Sequence, residues 1–313
     1  MTIIKPTLDY LAYVMVRVFV CVIQAMRVET GHAIARWLAW LAGDVLHVRN
    51  KVLSENLRHA FPDHSQAQRD RITREMWEHL FLLVVEVAHT PRKIHETNWR
   101  NHIRLSGSDI VVRELLSDRP TVLVTAHVGN FEVGGYVLGL FGFPTYTVAR
   151  TLDNPHLDRF LNSFRGKTGQ FIIPKNGGFD QIVEVLENKG VMTFLADQNA
   201  GRKGCWVEFF GRPASAHKAI SLLSLDYDAP IVASYSRRLD KPMQFEVRTS
   251  AVRAPRDSDG LPSTVTELTQ WYTNQLESFV REVPNQYWWI HNRWKDPRPR
   301  RKKKVAAADK KAA

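Results

Sequence analysis

Cysteine is almost missing from this chain of 313 residues: Cys21 and Cys205 are the only two, which excludes a disulfide scaffold and a zinc site built on cysteines. With 17 Gly and 15 Pro there is too little of either for a fibrous or low-complexity protein. Several reaction signatures are absent as well. The sequence has no Gly-x-Ser-x-Gly elbow, no Walker loop, no Gly-x-Gly-x-x-Gly and no His-Glu-x-x-His. Neither a metal nor a cofactor is therefore expected. What remains is an ordinary globular composition, 44% hydrophobic and 24% charged, long enough for one large or two modest domains.

The net charge of +11 is unevenly spread. Nine Lys or Arg against two Asp between 295 and 313 supply +7 of it, which leaves +4 on the other 294 residues. Residues 297–313, with Arg298, Arg300, Arg301, Lys302, Lys303 and Lys304 in close succession, cannot bury apolar surface and are expected to form a disordered basic tail. Such a run suits anionic lipid headgroups; nucleic acid would suit it too, and a solvated tail is the plainest reading.

At the other end, residues 8–26 are apolar apart from Asp9, Arg17 and Gln24. That approaches the roughly 20 residues needed to cross a bilayer, with a charge near the middle. Met26-Arg27-Val28-Glu29 offers no small-residue cleavage site, so the segment is expected to stay on the chain. Trp37 and Trp40 in the next stretch are aromatic anchors of the kind an interface favours. Residues 1–30 are read as a membrane-anchoring helix, spanning or lying flat, with a buried core helix as the alternative.

Residues 31–100 read as a helical layer, in which Val52, Leu53, Leu57 and Phe61 recur at helical spacing, Pro62 interrupts, and 72–88 resumes the pattern. Residues 101–296 read as an α/β domain. There, β-rich runs at 121–126, 145–149, 171–173, 191–196, 231–235 and 245–249 alternate with helical stretches at 132–140, 156–168, 179–188, 217–225 and 262–283. Four runs end at or just before polar residues: His127, Arg150, Lys175 and Asp197. In a parallel α/β sheet such ends share the edge where ligands bind.

The most informative stretch is Thr121-Val-Leu-Val-Thr-Ala-His127-Val-Gly129-Asn130-Phe131-Glu132: a buried strand, a histidine, a Gly-Asn turn and the start of a helix. Positions five apart on a helix lie about 140° apart around the axis, so His127 and Glu132 can meet only if the histidine precedes the helix. His127 would then be a general base with its ring oriented by Glu132. Val128, Gly129 and Asn130 could offer backbone donors to an oxyanion near the helix start. Spacing alone is weak. Among 12 histidines, His291 also has an acid five residues on, Asp296, with no strand before it, and His291 is read as structural or substrate-facing. For His127 the plainer alternative is a satisfied core histidine.

At these residues the chain resembles the lysophospholipid acyltransferase-like superfamily and, more closely, the lipid A biosynthesis late acyltransferases, the lauroyl and myristoyl transferases of Gram-negative bacteria. Six blocks carry the resemblance: Asn56-Leu57-Arg58-His59-Ala60-Phe61-Pro62; His127-Val-Gly-Asn-Phe-Glu132; Ala149-Arg150 with Asp153-Asn154-Pro155; Ala196-Asp197-Gln198-Asn199; Phe209-Phe210-Gly211-Arg212-Pro213-Ala214; and Pro284-Asn285-Gln286-Tyr287-Trp288-Trp289-Ile290-His291-Asn292-Arg293-Trp294-Lys295. The resemblance implies a glycerol-phosphate-acyltransferase-like mixed sheet flanked by helices. It implies transfer of a fatty acyl chain from acyl carrier protein to a hydroxyl of a lipid A precursor, on the cytoplasmic face of the bacterial inner membrane, without metal or cofactor and with no nucleic-acid partner. His127 and Glu132 take the family's base and orienting roles, Arg150 matches the residue that meets acceptor phosphate, and Asp197 takes a binding or structural role. Gly129, Asn130 and Lys175 complete the expected substrate-binding set. Phe131 stands where Trp is usual and Asn199 where Asp is frequent, which leaves the acceptor open. A lysophospholipid, aminolipid or glycolipid is the nearest alternative; a non-catalytic basic membrane- or nucleic-acid-binding protein is the alternative from another class.

Overall fold

The computed structural model describes residues 4–256 and 259–295, so the tail expected at 297–313 and Asp296 lie outside the described residues. Four helices come first: α1 (Ile4–Ala25), α2 (Val28–Trp40), which runs into one π-helical turn at Leu41–Val45, α3 (Asn50–Ala60) and α4 (Gln66–Lys93). A capping box starts α4. Ser65 Oγ accepts from the Gln68 N–H at 3.3 Å, and Gln68 Oε1 accepts from the Ser65 N–H at 2.7 Å. The helix outruns the 72–88 expected for it at both ends, taking Pro91 into its last turn.

The remaining elements are β1 (Ile103–Ser106), α5 (Ser108–Leu115), β2 (Thr121–Thr125), α6 (Phe131–Leu140), β3 (Thr145–Ala149), α7 (Pro155–Gly166), β4 (Gln170–Pro174), α8 (Phe179–Glu187), β5 (Val191–Leu195), β6 (Cys205–Phe209), β7 (Arg212–Ala216), α9 (Ala219–Asp226), β8 (Ile231–Arg238), β9 (Phe245–Arg253) and α10 (Val265–Glu282). This is the α/β arrangement expected, a mixed sheet flanked by helices. Seven strands form it in the order β1-β9-β8-β2-β5-β3-β4. From β8 to β4 every neighbouring pair is parallel, whereas β9 is antiparallel to β8 and parallel to β1. Strand β2 lies between two parallel neighbours, and Val122, Leu123 and Val124 are accordingly buried on both faces.

The β6–β7 hairpin does not read as strands from the sequence alone, because Pro213 sits in one of them. A two-stranded ribbon has free edges, and proline is tolerated there. Its turn places two successive residues in the left-handed region, Phe210 at φ 53 and Gly211 at φ 67. The Phe210 ring is held against Phe209 at 4.9 Å and Phe61 at 5.6 Å, which keeps an unfavourable backbone in place.

Leu57, Met76 and Trp77 of the helical layer pack in one core with Val122 and Val124 of β2 and Leu276 and Phe279 of α10. Helices and sheet therefore share their interior on that face. On the opposite face, Val111 and Leu115 of α5 and Leu138 of α6 cover Leu123, Val191 and Val232.

Candidate active site

His127, Arg150, Lys175 and Asp197 follow the carboxyl ends of β2, β3, β4 and β5, all parallel, so they line one edge of the sheet. Beyond β2 the chain is pinned at once. The Trp288 N–H donates to His127 O at 3.1 Å and the Gly129 N–H donates to Gln286 O at 2.8 Å, an antiparallel bridge between Val128 and Tyr287. Gly129 has φ +59, and a Cβ there would lie 1.8 Å from Ser236 O, so only glycine fits. Asn130 then caps α6, its Oδ1 accepting from the Val133 N–H at 3.2 Å while its Nδ2 donates to Glu86 at 2.9 Å. Gly129 and Asn130 thus build the turn. The Gly129 N–H is engaged by Gln286, which corrects its expected place as a donor to substrate, while the Asn130 side chain is buried in the α6 cap.

The side chain at His127 Nδ1 is Asp197, with Oδ1 at 2.8 Å. A carboxylate only accepts, so Nδ1 carries the proton and Nε2 is left with a free lone pair. Phe131 and Trp288 flank the imidazole with ring centroids at 5.2 and 4.9 Å. Burial pulls the imidazole pKa down, but the charge and hydrogen bond of Asp197, with a smaller push from Glu132, leave it raised. Burial opposes ionisation of Asp197 in turn, and His127 outweighs it, holding that carboxyl below the usual range. The buried Tyr287 phenol, beside Asp197, is pushed well above its ordinary value, first by burial.

Glu132 sits one turn away in a different partnership. Arg165 of α7 grips it with two nitrogens, Nε at 3.0 Å and Nη2 on the other oxygen. No hydrogen bond joins Glu132 to His127 among the described residues; the expected orienting contact is made by Asp197, because β5 lies beside β2 and brings Asp197 level with the histidine. Asp197 is correspondingly a buried partner of the His127 imidazole. Arg150 is at the rim, largely exposed and paired with Asp153 at 3.0 Å, and Lys175 stands near it.

These residues open on a cavity of about 830 Å³. Gly134, Gly135 and Leu138 of α6 line it with Leu123, Thr147 and Thr193, and Phe194, Val148, Ile182 and Leu223 line it from the other side. Alternate strand residues face opposite ways, so the cavity reaches both faces of the sheet around its carboxyl edge. Gln198, beside Asp197 in its block, also lines it, as do Arg165 and His217, which carry no local sequence signal. His291 is structural: its Nε2 accepts from the Asn199 N–H at 3.0 Å, and its carbonyl accepts from Asn56 at 2.7 Å.

Behind the turn lies a buried network that sequence reading missed. Arg238, at the end of β8, donates through Nε and Nη2 to the two oxygens of Glu86 and through Nη1 to His79 Nδ1 at 2.7 Å. An arginine only donates, so His79 carries its proton on Nε2, which gives it to Gly129 O at 3.1 Å. Burial, and then Arg238, hold His79 far below the usual histidine range.

An imidazole with a fixed tautomer stands at the mouth of a large and mainly apolar cavity, and the protein is an acyltransferase. It belongs to the bacterial lipid A biosynthesis acyltransferase family, whose model matches residues 1–296. The chain is similar to the lipid A biosynthesis palmitoleoyltransferase of Escherichia coli (strain K12), with 24% identity over 261 residues that cover 82% of this chain and 81% of the relative. It is similar to the phosphatidylinositol mannoside acyltransferase of Mycobacterium tuberculosis (strain CDC 1551 / Oshkosh), with 23% identity over 214 residues that cover 67% of this chain and 66% of that one. Among solved structures it is similar to the crystal structure of the 1-acyl-sn-glycerophosphate (LPA) acyltransferase from Thermotoga maritima, with a TM-score of 0.40 and 12% identity, covering 84% of this chain and 100% of that chain.

Proposed function

We propose that this enzyme moves a fatty acyl chain from the thioester of acyl carrier protein to a hydroxyl of a lipid A precursor at the cytoplasmic face of the inner membrane, with His127 as general base and Asp197 as the group that orients it. His127 Nε2 takes the proton of the acceptor hydroxyl as its oxygen attacks the thioester carbonyl. The C–S bond then breaks and the imidazolium returns the proton to the leaving thiolate, so that an ester and a free carrier thiol remain. A thioester is already activated, and one positioned base suffices. Glu132, fixed by Arg165, adds negative charge that favours the imidazolium. Arg150 and Lys175 at the rim supply cations for an anionic headgroup, for which the arginine fork suits phosphate.

The observation that carries this reading is the Nδ1 to Oδ1 contact of 2.8 Å between His127 and Asp197 at the cavity mouth. The likeness to a phosphatidylinositol mannoside acyltransferase favours a second reading, the same transfer to a hydroxyl of another glycolipid. The purified full chain, given an isotope-labelled acyl-acyl carrier protein and each acceptor in turn, decides between them by mass spectrometry. One labelled ester on the lipid A precursor, abolished by His127→Ala, supports the proposal. Transfer only to the other glycolipid moves the assignment, and transfer to neither leaves the non-catalytic alternative.

A further inference from the structure

α1 is long and apolar enough to cross a membrane, and only 6% of that stretch is buried, yet contacts near its start, middle and end tie it sideways to the body. Near its start, Asn154 Nδ2 donates to Asp9 O at 2.8 Å and Tyr10 packs against His156 of α7 at 5.5 Å. In the middle, the Arg17 guanidinium lies 5.1 Å from the Phe160 ring of α7. Near its end, Gln24 Nε2 donates to Ala88 O at 2.8 Å and Ile23 is buried against Val85 and Ala88 of α4. From Asp9 to Gln24 the helix rises about 22 Å, so the docked stretch approaches the thickness of a bilayer core. A crossing helix would take α7 into hydrocarbon with it, and α7 carries Asp158, Arg159 and Arg165.

The face turned away from the body is a continuous apolar stripe. Leu8, Leu11, Met15, Val18 and Val22 are each half exposed or more, at the alternating spacing of three and four that keeps residues on one side of a helix. Lys5 and Arg27 are exposed at its two ends, where cations complement an anionic surface. Trp37 and Trp40 of α2 are exposed as well, as amphipathic rings at a headgroup layer would be.

We infer that α1 is an in-plane anchor: it lies along the surface of an anionic phospholipid bilayer with the Leu8 to Val22 stripe in the acyl boundary, and does not span. The choice of a lipid surface as partner rests on the lipid-acylating reading above. Arg165, on the helix docked to α1, holds Glu132 in the cavity wall, so the anchor lies against a helix that forms part of that cavity.

Two measurements on the full chain test this. Sedimentation with vesicles of equimolar phosphatidylethanolamine and phosphatidylglycerol is expected to weaken at least about tenfold in Met15→Glu/Val18→Glu, with an unchanged thermal midpoint and unchanged turnover of a detergent-dispersed acceptor. Unaltered vesicle binding overturns the inference; if the variant instead loses an oligomeric state, the stripe is an interface between copies. In a background of Cys21→Ser and Cys205→Ser, thiols introduced by Lys5→Cys and, separately, by Ser278→Cys at an exposed position of α10 are expected to react with an impermeant maleimide from the same side of sealed inner-membrane vesicles. Labelling from opposite sides shows a spanning helix and sinks the proposal. Neither measurement needs turnover, so failure here leaves the acyl-transfer reading standing, and failed transfer leaves these outcomes readable.

Discussion

His127 and Asp197 are 70 residues apart in the chain and 2.8 Å apart in space. The register of two neighbouring strands brings them together. Thr125 of β2 is paired with Leu195 of β5, so the residues two further along each strand stand side by side and on the same face. Each group makes ionisation of the other easier: the imidazole pKa is raised and the carboxyl pKa lowered, in both cases against the cost of burial.

A base works only when neutral. As the proposed base, with its pKa raised, His127 should lose activity at a higher pH than an ordinary histidine would as the solution is acidified, so kcat/KM should climb through that raised pKa and level off above it. Asp197→Asn removes the charge that raises it. The acid limb of the profile should move to lower pH, and the plateau should fall about 10²–10⁴-fold because an amide can stabilise the wrong tautomer. A pH profile from initial rates checks both, and an unmoved limb would exclude Asp197 as the partner of the base.

Glu132→Gln should behave differently. It leaves the His127 to Asp197 contact intact and deprives Arg165 of its charged partner in the cavity wall. We expect a smaller shift of the acid limb than in Asp197→Asn, with a rise in KM from the unpaired cation accounting for more of the loss. Parallel kinetics of the two variants decide the matter. Equal collapse of kcat in both, with the larger limb shift in Glu132→Gln, would return the orienting role to Glu132.

The carboxyl edge of the sheet was legible in the sequence because β2, β3, β4 and β5 each read as an apolar run followed by a polar residue, whereas the short β1 did not stand out. Gly129 was legible as a turn, and the packing explains why no side chain is tolerated there. The partner of the base was not legible. Chain order sets β3 after β2, but β5 is inserted between them in the sheet, and only that insertion brings Asp197 beside His127. Proximity in sequence pointed instead to Glu132, whose real partner, Arg165, comes from a helix with no motif of its own. Asn130 was noticed as a turn residue, whereas its partner Glu86 lies 44 residues earlier in a helix that reads as amphipathic filler.

Glu86 is wholly buried and its charge is met by Arg238 and by the Asn130 amide. Breaking a buried pair by removing one partner typically costs about 3–5 kcal/mol, since the other charge stays desolvated. Glu86→Ala should therefore lower stability by an amount of that order in urea unfolding. It should also lower kcat, because Asn130 loses its partner and Arg238, which donates to His79 behind the turn after His127, loses the carboxylate that holds it. Glu86→Asp, which keeps the charge but shortens the reach, should recover part of the stability and less of the rate. A stability loss below about 1 kcal/mol in Glu86→Ala, the scale of an ordinary hydrogen bond, would mean that the network is not what fixes the turn.

Asn199 departs from the acidic residue frequent at its place in the family, and the structure gives the amide a task that an acid cannot perform. Its Nδ2 donates to the carbonyls of Arg293 at 3.1 Å and Lys295 at 3.4 Å, while Oδ1 accepts from the Gly201 N–H at 2.8 Å. Asn199→Asp would set a second oxygen against two carbonyl oxygens, with no proton between them. The segment so held carries Arg293, buried with its guanidinium donating to Ser215 O at 2.6 Å, and His291, which accepts from the Asn199 N–H. The substitution should cost about 1–3 kcal/mol, the usual penalty for a polar pair left unsatisfied. If Asn199 is a structural clasp, relative kcat/KM for competing acceptors stays constant while stability falls. A changed acceptor preference at unchanged stability would place residue 199 against the acceptor, and the clasp reading would fail.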